Sequence, residues 1–279
     1  MQGEIKCGSS KRRLGRVVSV LLLAASTVSL SAAIEPAMAG AGGSTTRVSE
    51  EPLPDQVLIG KSTRGRPILA KRQGDPNATR VLLVVGQMHG DEPKGTAVVR
   101  SLRKRRISEN GNVAIWTVST MNPDGQTRRT RVNARSVDLN RNFPTKWRRL
   151  AKGGTYSGPR PASEVETTAV MAFTERLRPD AIMSFHQPLD TVMTVCDAKA
   201  RPWVRRIGRL AGLPVPSTRG CVARDRSYPG TLNKWFSAHF PGWFATVELP
   251  VSSVVNKSKI RRYTNTVIEI SRLIRDRSR

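Results

Sequence analysis

Apolar residues along this chain form short β-branched runs separated by stretches in which they recur every three or four positions, the two periods of strand and helix. "VLIGKSTRGRPILAKR" (57–72) holds two short apolar stretches around Gly65 and predicts a hairpin. "VLLVVG" (81–86) and "VAIWTVS" (113–119) predict buried strands, and a helix opens at Pro93 and runs to about Arg106 between them, with Pro in its first turn. Further on, the pattern predicts a helix from about Ala162 to Leu177, strands at 181–185 and 191–195, a helix over 200–211 and a strand at 243–249. Ile260, Tyr263, Val267, Ile270 and Ile274 stand at helical spacing among Lys and Arg, which predicts an amphipathic helix docked on the sheet, with membrane-surface binding as the secondary reading. Strands alternating with helices in this way predict an α/β fold: a single domain with a mixed, mostly parallel β-sheet and helices on both faces.

The N-terminal region follows a different pattern. The basic "KRRLGR" (11–16), the apolar run that follows it and "AMA" (37–39) read as an export signal of the general secretion type, with the mature chain beginning near Gly40. Residues 40–56, rich in Gly, Ser, Thr and Pro, read as a flexible leader before a folded unit of 57–279. No other apolar stretch is long enough to span a bilayer, so the expected location is secreted or wall-associated, outside the cytoplasm. Cys7 leaves with the signal, and Cys196 and Cys221 remain as a candidate disulfide in an oxidising compartment or as two buried thiols.

Charge narrows the choice of partners. The chain carries 47 Lys and Arg against 21 acids, a formal net charge of +26, and loss of five bases and two acids with residues 1–39 leaves +23. A field of that sign attracts polyanions, for an exported protein wall polymers and anionic lipid head groups before nucleic acid, while the even spread of the bases argues against a specific nucleic-acid site and for a solvated cationic surface.

The chemistry is concentrated in a few polar residues placed at strand ends. "GQMHGDEPKG" (86–95) follows a strand and precedes a helix, the position at which open α/β sheets form their ligand crevice. Gly90 permits a tight turn, so His89 and Glu92 converge. Two other histidines exist. His186 ends a strand at the same sheet edge, whereas His239 in "SAHFPG" sits at a helix end and reads as a capping or surface residue. His89, Glu92 and His186 would supply two imidazoles and a carboxylate, the ligand set of a catalytic zinc ion with one position open.

Five ordered elements, "HGDE", "NPDG", "RVNARSVDLNRNFP", "SFHQP" and "TVELP", extend across nearly all of 57–275. With them the sequence resembles the zinc carboxypeptidase family, and within it the branch of bacterial murein-peptide amidases. The resemblance implies one Zn2+ ion held by His89, Glu92 and His186, and a peptide substrate whose terminal carboxylate is held by Asn140 and Arg141, an amide donor beside a planar guanidinium. It also implies that Asp138 orients His89, and that an arginine shortly upstream of the Asn-Arg pair faces the developing carbonyl charge. Arg128, Arg129 and Arg131 compete for that place, and Arg131 fits best. Glu248 matches the general base; inside an apolar strand an unpaired carboxylate would otherwise be costly. "SYPGTLNKW" is similar to the family's tyrosine loop, making Tyr228 a candidate substrate donor, and Asn233 falls near the specificity position. The digestive members carry Arg between the metal His and Glu, where this chain has Gly90 and Asp91. An acid there would suit a substrate ammonium and fits cleavage of a γ-D-glutamyl to diaminopimelate bond in peptidoglycan. Two other readings stay open: a zinc deacylase of small N-acyl amino acids, and a non-catalytic cationic wall-binding module.

Overall fold

The computed structural model describes residues 53–195, 197–216, 228–251 and 256–274. The export signal and most of the leader lie outside them, as do Cys196 and Cys221. The described residues belong to one unit, Glu50–Arg279. No helix among them is long and apolar enough to cross a membrane.

Seven strands form one sheet, in the order β1-β2-β4-β3-β5-β7-β6. β1 (Gln56–Lys61) and β2 (Pro67–Gly74) make the expected hairpin, with Gly65 in the left-handed region at φ 77°. The four middle strands, β4 (Val113–Val118), β3 (Arg80–Val85), β5 (Ala181–His186) and β7 (Trp243–Glu248), are parallel. β1 and β2 on one flank, and β6 (Thr191–Met193) on the other, pair antiparallel. This is the mixed sheet that the strand and helix alternation predicts, with its parallel part in the middle, where both faces are covered.

Alternation along β3 shows how the two faces are divided. Leu82 and Val84 join an apolar cluster with Val98, Val99 and Leu102 of α1 (Lys94–Arg103), Val204 and Ile207 of α4 (Arg201–Ala211), and Val267 and Ile270 of α6 (Lys257–Leu273). Leu83 and Val85 face the other way, into a cluster with Val170 and Phe173 of α3 (Val165–Leu177) and Trp235 and Phe236 of α5 (Leu232–His239). The C-terminal helix thus docks through its expected stripe. Between β4 and α3 lie the short α2 (Pro123–Arg128) and a 3-10 turn, Leu139–Arg141, neither of which the apolar pattern marks.

The chain leaves β3 through α1 to β4 on one side, then returns through α3 to β5 on the other, so the carboxyl ends of β3 and β5 flank a topological switch point. Two glycine contacts set the geometry there. A Cβ on Gly95 in α1 would lie 1.8 Å from the carbonyl oxygen of Gly86, so only glycine lets the helix close onto the strand end. A Cβ on Gly90 would lie 1.9 Å from the carbonyl carbon of Gly125 in α2. Gly90 is absent from the glycines with positive φ, so the residue serves close approach and not the turn conformation that the sequence suggests.

Gly95→Ala should therefore destabilise by about 1–3 kcal/mol through overpacking, lowering Tm by several degrees for a chain of this size. A calorimetric Tm within about one degree of the parent would show that α1 can move off Gly86 freely.

Candidate active site

His89 and Glu92 sit on a turn closed by a hydrogen bond from Glu92 N–H to the His89 carbonyl at 3.0 Å. Such a turn brings its first and fourth residues to one side. His186 is the last residue of β5, and Glu248 the last of β7, paired with it in register. All four side chains are buried in the wall of one cavity of about 820 Å³, together with Arg131, Asn140, Arg141, Tyr228 and Asn233. The three candidate ligands offer donor atoms all within 4.8 Å of one another, the one such group among the described residues.

Hydrogen bonds fix how the rings face. His89 Nε2 lies 3.0 Å from Asp138 Oδ1, and Asp138, fully buried, accepts a hydrogen bond from the ring's outer N–H. His89 Nδ1 then faces Glu92 Oε1 at 2.8 Å. His186 Nε2 lies 3.1 Å from Ser184 Oγ, leaving Nδ1 3.1 Å from Glu92 Oε2 and 3.3 Å from His89 Nδ1. Two inward lone pairs and a carboxylate repel one another unless a proton or a cation lies between them. The donor set is that of a catalytic zinc ion, so these residues fit the metal that the motifs imply.

The same contacts shift the titrations. Burial works against an imidazolium at His89, but Asp138 and Glu92 outweigh it and raise its pKa to about 9. Burial would raise Glu92, yet hydrogen bonds from His186 and His89 hold it far below the usual carboxylate range. Asp138 is likewise driven below that range, against its burial, by His89 and the nearby Arg131 and Arg141. Glu248 moves upward: burial dominates, and Glu92 adds to it against the pull of His186. A long contact of 3.5 Å from Leu189 N–H is the hydrogen bond given to its carboxylate.

Arg131 donates to Asp138 Oδ2 at 3.1 Å and to Glu92 Oε1 at 3.2 Å, which puts it beside the ligand set. Arg128 and Arg129 are exposed and outside the cavity wall. Asn140 accepts from Leu232 N–H at 3.1 Å through its side-chain oxygen, which turns its amide N–H groups away from that contact. Arg141 is buried, donates to the Asn140 carbonyl at 2.7 Å, and lies 5.1 Å over the Tyr228 ring. Gly230, at φ +61°, packs against the backbone of the same residue: a Cβ there would meet the Arg141 carbonyl oxygen at 2.3 Å. Asn233 accepts from Ser237 Oγ at 3.3 Å in the first turn of α5. His239 ends α5 with Nδ1 2.8 Å from the Trp235 carbonyl, in keeping with a capping residue.

Asp91 requires a correction. It is exposed and does not line the cavity, because the turn that carries His89 and Glu92 inward carries the residue between them outward. It therefore cannot read a substrate group inside the site. Two supports escape the sequence reading: Ser184, two residues before His186 on one strand face, and the backbone N–H of Gln187, 3.2 Å from Glu92 Oε2. The i, i+2 spacing is the signal for the first; a backbone donor leaves no mark in the residue pattern.

A family model described as zinc carboxypeptidase matches residues 52–263. The murein peptide amidase A of Vibrio campbellii is 30% identical over 209 residues, covering 68% of this chain and 77% of that protein. The murein peptide amidase A of Escherichia coli K12 is 28% identical over 196 residues, covering 65% and 76%. In fold, the chain is similar to the crystal structure of murein-tripeptide amidase from Escherichia coli O157, with a TM-score of 0.58 and 24% identity over 80% of this chain and 92% of that one. Carboxypeptidase A from Helicoverpa armigera superposes with a TM-score of 0.61 at 18% identity, covering 77% and 67%. With the match spanning most of its length, this chain belongs to the zinc carboxypeptidase family and is a zinc-using hydrolase.

Proposed function

We propose that this protein hydrolyses an amide bond next to a C-terminal, carboxylate-bearing residue in peptidoglycan peptides, of the γ-D-glutamyl to diaminopimelate type, outside the cytoplasm. One observation carries the reading: Asn140 and Arg141, suited to hold a carboxylate, line the same cavity as Glu248 and the His89, Glu92 and His186 set. The relatives' name supports a wall peptide, and the pattern of residues 11–39 supports export. A net charge of +26 favours association with anionic wall polymers as an accessory property.

His89, Glu92 and His186 would hold the zinc, which when bound supplies Lewis acidity toward a carbonyl and a water molecule. Arg141 fixes the terminal carboxylate through its guanidinium, with the Asn140 amide beside it. Arg131 provides positive charge at the edge of the ligand set, where charge on the scissile carbonyl oxygen develops. Glu248, its pKa raised by burial, takes a proton from the attacking water and returns it to the leaving amine. Tyr228 lies under the Arg141 guanidinium and lines the cavity, where its hydroxyl would serve as a substrate donor.

Glu248→Gln should keep its zinc and its Tm while losing about 10²- to 10⁴-fold in kcat on a murein tripeptide. Near-normal turnover would remove Glu248 from the chemistry. Arg141→Ala should lower kcat/KM by about 30- to 1000-fold on substrates with a free terminal carboxylate. An equal loss on a C-terminally amidated analogue would place Arg141 in the fold instead.

Zinc affinity should depend on pH in one direction. Metal-free His89 holds a proton below a pKa of about 9, and that proton has to leave when the ion binds. Apparent affinity should rise with pH toward about 9, by up to about tenfold per unit for one exchanged proton. Competition with a chelator of known pH dependence at several pH values gives the slope; a flat profile between pH 6 and 8 would contradict the Asp138–His89–Glu92 contacts.

A further inference from the structure

Evenly spread along the chain, the bases are not evenly spread over the fold. Residues 94–106, which form α1 and its exit, carry six Lys and Arg, α4 four and α6 five, against one acid, Glu269. These three helices pack on one face of the sheet. On the other face α3 and α5 together carry two bases and two acids. Lys94 is buried and Arg103 donates inward to Thr117, while the remaining bases of the first group are exposed or, at Arg201, half-buried.

Where α6 faces the exit of α1 and the end of α4 there is a second cavity, a groove of about 670 Å³ that shares no residue with the catalytic cavity. Its cations are all arginines: Arg105 and Arg106 just past α1, and Arg261, Arg262 and Arg272 on α6. The side chains of Arg105, Arg106 and Arg261 have no hydrogen bond or ion pair among the described residues. Arg262 is anchored by one of its three nitrogens, Nε, which donates to the Leu210 carbonyl at 2.9 Å. Gly212, at φ +67°, leaves room for it, since a Cβ there would lie 2.5 Å from the guanidinium. The single acid, Glu269, is 3.8 Å from Arg272, with the two side chains 44% and 70% exposed, a pair worth little in water. Like charges gathered with so weak a counter-charge repel one another, and a bound anion relieves that repulsion.

Shape and composition narrow the anion. Guanidinium forks match the paired oxygens of a phosphate, which a lysine ammonium meets only as a point charge. The groove follows α6 from Ser258 to Arg272, about 21 Å at 1.5 Å per residue, too far for one phosphate to reach both ends. A chain with anions repeated along it does reach. No aromatic residue lines the groove among the described residues, so bases have no stacking platform there. The apolar stripe of the C-terminal helix is used up by the core, with Tyr263, Val267, Ile270 and Ile274 buried. None of the exposed large hydrophobic side chains among the described residues lies on α1, α4 or α6. An amphipathic helix binds a membrane through such side chains, so the secondary reading of α6 as a membrane-surface helix loses its support.

We propose that this arginine groove is a binding site for a linear phosphodiester polyanion, the chemistry of an anionic cell-wall polymer, and that it holds the enzyme on the wall. Because the groove and the catalytic cavity share no residue, polymer and peptide substrate bind at the same time. The inference rests on the export reading for the place where the polymer is met, and takes nothing from the amidase chemistry.

The test is binding of zinc-loaded protein to a fluorescent linear poly(glycerol phosphate), followed by anisotropy at several salt concentrations. Replacing Arg105, Arg106 and Arg261 together by Gln should weaken binding about 10- to 100-fold. The slope of log affinity against log salt should flatten by about two, at about 0.7 per phosphate contact on a flexible strand. Removing three exposed charges elsewhere, with Lys61→Gln, Lys152→Gln and Arg176→Gln combined, should leave affinity within about threefold of the parent, since distant exposed charges are screened. Both triple variants should hydrolyse a murein tripeptide at the parent rate. Equal losses in the two triples would mean that net charge alone attracts the polymer, and would overturn the proposal. So would inorganic phosphate binding as tightly as the polymer, or tighter binding to a DNA duplex or to phosphatidylglycerol vesicles. If the arginine triple melts non-cooperatively, footprinting of the parent decides. The polymer should shield Lys104, Lys257 and Lys259, neighbours of groove residues in the chain, from acetylation and leave Lys61 and Lys152 reactive; uniform shielding would sink the groove. Polymer binding without tripeptide hydrolysis would overturn the amidase reading and leave the groove standing, and hydrolysis without polymer binding would do the reverse.

Discussion

Both oxygens of Asp138 are used inside the protein, and the residue has no exposed surface. Oδ1 accepts from His89 Nε2 and from the backbone N–H of Asn140, and Oδ2 accepts from the Arg131 guanidinium. A buried carboxylate without those donors would be expensive, so the three contacts hold one another in place. Each donor belongs to a different part of the chemistry: a candidate metal ligand, the residue that opens the carboxylate-holding turn, and the cation at the edge of the ligand set. By accepting a hydrogen bond from the outer N–H of His89, Asp138 also decides that the ring turns its Nδ1 inward, toward Glu92. One side chain therefore fixes the relative positions of groups that come from three separate segments.

What brings those segments together is the sheet. Parallel strands end their side chains at one edge, and β3, β5 and β7 deliver His89, His186 and Glu248 there with little loop between. In-register pairing of His186 with Glu248 makes their proximity a property of strand geometry and not of a flexible loop. The strand interiors are almost wholly apolar, so polar side chains concentrate at the ends where backbone pairing stops. The glycine contacts of Gly95 with Gly86 and of Gly90 with Gly125 then close α1 and α2 around the edge, at distances no other residue allows.

Much of this is legible in the residue pattern, and the rest is hidden for physical reasons. Strand and helix periods mark the hairpin, β3 to β7 and helices α1, α3, α4 and α6, because each buries one defined face. Strand order is not readable, since pairing β3 between β4 and β5 joins segments about a hundred residues apart. The short α2 and the 3-10 turn are held by caps on Asn122 and Asp138 and bury no apolar stripe that would signal them. Within the site, His89, Glu92, His186, Asp138, Asn140, Arg141 and Glu248 stand in recognisable motifs and the structure brings them to one place. Asp91 stands in the same motif and points elsewhere. Adjacency in a motif does not say on which side of a turn a residue lies.

The charge of the chain bears on the site in a way that a surface count does not show. Among the cavity's ionisable walls are Arg131, Arg141, Lys146, Lys199 and Lys234, against Glu92, Asp197 and Glu248. A wall with more cations than acids draws anionic substrate ends, in keeping with the chain's net charge of +26. Attraction at long range cannot by itself choose between anions. Selection among them has to come from short-range contacts with the cavity wall. Glu92 is bound up with two imidazoles, and Glu248 is pushed toward its neutral form by burial. The third acid, Asp197, has Lys199 Nζ 4.0 Å from its Oδ2, so the negative charge of the wall is answered largely from within the wall itself.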